Sequence, residues 1–131
     1  TLAETAIVMA VLLAIMFGII DFGRALYTYS FVANAARQGA RWAIVRGAKC
    51  TQLDHCPAAS GTTDIEPYVQ SLSEGATNAS KITANLTFPS GSNAPGSVAE
   101  VTVQYPFTFI APFVSKLTLN MTSTSEMVIS N

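Results

Sequence analysis

Apolar and polar residues follow three different rules along this chain. From Thr5 to Ile20 no charge occurs for sixteen residues, the pattern of a helix that is apolar all round and must meet lipid or other subunits. Beyond Asp21 the pattern turns amphipathic: Ala25, Tyr29, Val32, Ala36, Ala40 and Ala43 recur at spacings of three and four, with Asn34, Arg37, Gln38 and Arg41 opposite. Together these stretches predict one helix from about Leu2 to about Arg46, ended by Gly47. At 1.5 Å per residue it is roughly 70 Å long, more than the rest of so short a chain can bury. Its N-terminal half must therefore find partners elsewhere.

The segment TTDIEPYVQSLSEG predicts a short second helix, with Thr63 and Glu66 as a capping box, Ile65, Tyr68, Val69 and Leu72 as its face, Pro67 in the first turn and Gly75 as the stop. From Lys81 the period becomes two. Ile82, Ala84, Leu86 and Phe88 alternate with polar residues, and after the turn-rich PSGSNAPGS the alternation resumes at Val101, Val103, Tyr105, Phe107 and Phe109. Leu117, Leu119, Met121, Met127 and Ile129 share one parity in a third segment. Pro106 marks its strand as an edge or a bulge. The expected fold is α+β: a long N-terminal α-helix packed by its C-terminal half on a small antiparallel β-sheet, with a short second helix. Residues 1–30 form a hydrophobic helical segment and 31–131 a globular head.

Composition sharpens the first rule. With 131 residues the chain supports one core, yet it is 50% hydrophobic and only 11% charged, against roughly 25% charged in ordinary soluble domains. A net charge of -1 gives no field for nucleic acid. Charge is nevertheless uneven: Arg24, Arg37, Arg41, Arg46 and Lys49 are followed by Asp54, Asp64, Glu66 and Glu74, an asymmetry that can join one copy to another. Arg37, Arg41 and Arg46 otherwise read as a solvated helix face or a headgroup contact. The apolar run lacks a basic region before it and a small-residue cleavage site after it, so it reads as a retained element and not a secretory signal. Sixteen helical residues rise roughly 24 Å, and with a snorkelling Glu4 the run reaches across a bilayer. The arginines beyond it favour a cytoplasmic C-terminus; a basic leader removed from upstream of Thr1 reverses that orientation. Tyr27, Tyr29 and Phe31 suit either an interfacial aromatic belt or core packing.

Catalytic chemistry is sparse. The one histidine, His55, sits between Asp54 and Cys56 in a loop-like segment, and no phosphate-binding glycine loop is present. Asp64 and Glu66 are explained as first-turn helix charges. No enzyme, metal or cofactor is expected. Cys50 and Cys56, six apart, favour a local disulfide over a metal site with Asp54 and His55, which lacks paired C-x2-C spacing, and over two separate thiols. Asn78, Asn85 and Asn120 stand in glycosylation sequons that composition alone also explains.

The block ETAIVMAVLLAIMFGIIDFGRALYTYSFVANAARQGAR resembles the TadE-like pseudopilins of the tight-adherence machinery, within the type IV pilin superfamily: an acid before an apolar run, then G-I-I-[DE]-F-G-R and A-A-R-x-G-A-R blocks. The resemblance is close over Glu4 to Arg41 and holds only by pattern beyond. Two departures stand out. Many relatives carry a proline where this chain has Met9-Ala10-Val11, and pilins usually place the acid fifth, not fourth.

The resemblance implies processing by a prepilin peptidase, residence in the inner membrane, handling by pilus assembly machinery, and a homopolymeric helical surface filament. It implies that Glu4, costly alone in an apolar medium, pairs with the α-amino group of Thr1 on an adjacent subunit. Ala6, Ala10, Ala14 and Gly18, spaced by four, allow close helix approach or merely pad a lipid-facing anchor. Asp21 and Arg24, from the second block, complete the expected assembly set. The alternatives are a minor pseudopilin that primes assembly, a bitopic membrane protein presenting a small β-rich binding module, and, least supported, an enzyme working through His55.

Overall fold

One helix, α1 (Leu2–Ile44), runs through the structure as a stem below and a packed strut above. This computed structural model describes residues 1–52, 58–59, 61–73, 77–112 and 114–130. A 3-10 turn (Ala48–Gln52) follows α1, then α2 (Thr62–Ser71), a second 3-10 turn (Ala79–Lys81), and strands β1 (Thr83–Thr87), β2 (Val98–Thr108) and β3 (Thr118–Val128). The strands form an antiparallel meander in the order β1-β2-β3. The expected α+β arrangement of long helix, short helix and small antiparallel sheet is the one observed.

Alternation along each strand selects the buried face. Ala84 and Leu86 of β1, Ala99, Val101, Val103 and Phe107 of β2, and Met121 of β3 point into one core with Ile82 and Ile129. Against them lies the α1 stripe of Val32, Ala35, Ala36, Gly39, Ala40 and Ala43, whose small residues let the sheet approach the helix closely. Helix α2 closes the side with Ile65 and Val69, each fully buried and each contributing on the order of 2 kcal/mol by removal from water. The Gln70 side chain ties α2 to the start of β1 by donating to the Ile82 carbonyl at 3.1 Å.

Four local readings need correction. Helix α1 ends at Ile44, before Arg46, and Gly47 does not adopt a left-handed conformation. The carbonyls there are satisfied by tertiary donors, Ser130 to Ile44 and Ala59 to Arg46, so no glycine cap is needed. On the helix face, Tyr29 is exposed and Thr28 is buried in its place; the Thr28 hydroxyl donates to the Arg24 carbonyl at 2.9 Å, which makes a buried threonine tolerable. The N-cap of α2 is Gly61, not Thr63, and Pro67 consequently lies beyond the first turn, where it removes a helix hydrogen bond. Pro106 lies in the central strand. The pairing of β1 ends at Gln104, so at Pro106 only β3 borders β2 and the missing donor is accommodated.

Candidate assembly and anchoring site

The stem is defined by what it lacks within the subunit. Nearly every residue from Leu2 to Ile20 is exposed, and α1 is long and apolar enough to cross a membrane. Ala6, Ala10, Ala14 and Gly18 fall on one stripe of this surface, and a Cβ added at Gly18 would meet nothing within 4 Å. An apolar surface of this extent is not stable in water and marks contact with lipid or protein. At its tip the Thr1 amino group lies 3.4 Å from Glu4 Oε2, with both side chains more than three-quarters exposed. So open an ion pair contributes little to the fold, and it leaves the Glu4 carboxylate accessible to another partner.

At the top of the stem, Asp21 and Arg24 form a latch. Three-residue spacing on a helix puts both on one side, and Arg24 Nη1 donates to Asp21 Oδ1 at 3.1 Å. Asp21 is only 4% exposed because the segment after β2 folds over it. The Ile110 amide donates to both Asp21 oxygens at 3.0 Å and the Ala111 amide to Oδ2 at 2.8 Å. Arg24 reaches the same strand end: its guanidinium lies 5.2 Å from the centre of the buried Phe107 ring, and Nη1 is 3.5 Å from the Thr108 carbonyl. The Ala111 and then the Ile110 amide hold the Asp21 carboxyl below its usual 3.8; burial opposes them, and Arg24 adds a further lowering.

The remaining candidate residues are scattered over the head. Cys50 is fully buried in the first 3-10 turn, whereas Cys56, with Asp54 and His55, lies outside the described residues, as do Glu74 and Gly75. Asn78 accepts from the Ser80 amide at 3.2 Å and hydroxyl at 2.8 Å, Asn85 accepts from the Thr62 hydroxyl at 2.6 Å, and Asn120 is exposed on β3. Arg37 and Arg41 are exposed on the outer face of α1; Arg46 stacks over Trp42, 4.3 Å from its centre, and Trp42 in turn stacks on Tyr68.

The stem, the latch and the small-residue stripe of the strut are therefore contiguous along one helix. Residues 1–41 match the TadE-like protein family. The TadE-like segment thus takes in Glu4, the whole apolar run, the Asp21–Arg24 latch and the packed helix face up to Arg41, which bears out the resemblance over the residues that suggested it. Helix α2 and the sheet lie outside it. No curated protein and no solved structure matches the chain.

Sequence reasoning placed Asp21 and Arg24 among assembly residues but missed the internal task they have here, because their partners are backbone amides some ninety positions away. It also missed Gly39. A Cβ there would lie 3.0 Å from Val101 Cγ1 and 3.5 Å from both Ile65 and Val69, so glycine permits the three-way junction of α1, α2 and β2. Its place on the helix face, between Ala36 and Ala40, was the available signal.

Proposed function

We propose that this chain is a non-enzymatic, pilin-like structural subunit associated with a Tad pilus. The stem anchors it in the inner membrane and then, with the aid of prepilin peptidase and the assembly machinery, enters the core of a helical surface filament used for attachment. The observation that carries this reading is a TadE-like helix whose first twenty residues have almost no partner among the described residues of their own subunit. Identical stems supply that partner to one another through a heterologous contact that does not close, which gives a fibre. Glu4 then takes a cation from a neighbour, for which the resemblance points to the α-amino group of Thr1. Such a buried pair acts as a register device more than as a source of net stability. A disulfide between Cys50 and Cys56 would fasten the loop at the top of the strut, consistent with a head exported to an oxidising compartment.

The experiment is to shear surface material from cells making the chain or its Glu4→Ala variant, image it by negative stain, and measure the membrane-bound pool. The expected result is an undiminished membrane pool with filaments lost; normal filaments from the variant would overturn the pairing. The family match also supports a second reading, a minor pseudopilin that primes assembly. Its abundance in sheared filaments separates the two, a bulk subunit dominating the material and a primer being a trace.

A further inference from the structure

We propose that the β2–β3 hairpin tip is a membrane-interface foot: with the stem inserted, it seats in the headgroup region of the same bilayer and fixes the height of the head. This rests on the membrane-anchored reading of the stem and goes beyond it by giving the head a lipid contact of its own.

The argument is one of level. Asp21 is the first charge after the apolar run, and sixteen helical residues rise roughly 24 Å, so Asp21 stands close to the edge of a hydrocarbon core about 30 Å thick. The latch holds the start of the tip at that same level, since the Ile110 and Ala111 amides bond Asp21 directly. Val114 N–H donates to the Ala111 carbonyl at 3.1 Å and Leu117 N–H to the Val114 carbonyl at 2.9 Å, which holds Val114 and Leu117 close to that level.

What the tip displays there is apolar. Ile110 is 54% exposed and Leu117 61%, with Val114 and Leu119 also open. Leu119 shares the inward parity of Met121 and pairs with the buried Phe107, yet its own side chain stands half exposed. At the same level on α1, Phe22 and Leu26 are likewise exposed just above the apolar run. Lys116 sits among them, exposed, with a long apolar shank and a cation suited to phosphate headgroups. Short apolar segments carrying a basic residue are what the bilayer interface accepts.

The test uses the full chain in phosphatidylcholine vesicles, with Trp42→Phe as background and one new tryptophan at a time. Lipids brominated near the headgroup end of their chains, or deep within them, serve as quenchers. Leu117→Trp and Ile110→Trp are expected to emit at shorter wavelength and to lose emission to the shallow bromines. Leu12→Trp should lose emission to the deep ones, and Val128→Trp, exposed at the far end of β3, to neither. Quenching at Leu12→Trp with both tip variants behaving like Val128→Trp overturns the foot while leaving the anchor intact. No quenching at Leu12→Trp overturns both. A blue shift at the tip without bromine quenching means that a neighbouring copy covers it, which also overturns the proposal.

Discussion

The backbone amide of Ile110 donates to both carboxylate oxygens of Asp21 across 89 positions of sequence. With Ala111 on Oδ2 and Arg24 on Oδ1, one carboxylate collects the end of β2, the turn beyond it and the next helical turn of α1. Backbone donors that would otherwise be orphaned near an apolar surface are satisfied by a full negative charge, the stronger kind of hydrogen bond. The segment after β2 is thereby tied at one residue to α1, which packs on the sheet through Val32, Ala36 and Ala40.

Asp21→Asn tests this directly. The amide side chain keeps one acceptor, loses the charge, and brings N–H donors against backbone N–H donors. Hydrogen exchange on the detergent-solubilised chain should show the Ile110 and Ala111 amides exchanging roughly tenfold faster or more, the scale expected when hydrogen bonds to a charged group are lost. Protection at Val101 and Val103, in the middle of the sheet, should be unchanged. Equal protection at the tip in both chains would mean that something other than Asp21 holds it.

Acid should undo the same contact. Because the folded-state carboxyl titrates below its ordinary value of 3.8, its contribution to stability is fully present above that value. It is lost as pH falls below 3.8 and through the depressed folded value. A pH series of the exchange experiment should therefore show tip protection flat from neutral pH to about one unit above 3.8 and declining below it. The decline should be absent in Asp21→Asn; a decline already complete at about pH 6 would assign the effect to another group.

The elements were legible wherever a single periodicity ran long enough. Sixteen uncharged residues, then a three-four spacing, then an alternation of two gave the long helix, the strut and three strands, with Val101, Val103 and Phe107 correctly inward on β2; in the third segment Met121 and Ile129 are buried but Leu117 and Leu119, of the same parity, are exposed. Legibility failed where tertiary contacts replaced local signals. Asp21 and Thr28 belong to the buried helix face but are polar, so a count of apolar positions chose Tyr29 instead. Glycine at 47 suggested a cap that Ser130 and Ala59 make unnecessary. Nor does any pattern reveal that Ile110 and Ala111 offer amides to Asp21, since every backbone carries amides. The acid in G-I-I-D-F-G-R could be marked as notable from sequence, but its partner could not.

Gly39→Ala should destabilise the head although it improves the helix. Alanine gains up to about 1 kcal/mol in helix propensity. Its Cβ, however, would stand 3.0 Å from Cγ1 of Val101, a fully buried, β-branched residue on the central strand with little freedom to move. Overpacking of this kind costs roughly 1–3 kcal/mol, leaving a net loss of about 1 kcal/mol. Unfolding followed by circular dichroism in detergent measures it. Val101→Ala made in the Gly39→Ala chain should cost less than it does alone, because it relieves the contact. A gain in stability for Gly39→Ala would show that the junction has more room than its geometry indicates.

Gly18 makes the opposite prediction, because none of the described residues of the subunit crowds it. A Cβ there meets nothing within 4 Å, so Gly18→Ala should leave the fold intact and strengthen the helix by up to about 1 kcal/mol, and Gly18→Leu should be tolerated equally well. Assembly is where they part. If stems pack through Ala6, Ala10, Ala14 and Gly18, a leucine at the last position holds neighbouring backbones apart, whereas alanine keeps the stripe small. The expected outcome is wild-type membrane levels for both variants, filament yield near normal for Gly18→Ala, and a sharp fall for Gly18→Leu, measured on sheared material against the membrane pool. Normal yield from Gly18→Leu would move the stem contact to another face of the helix.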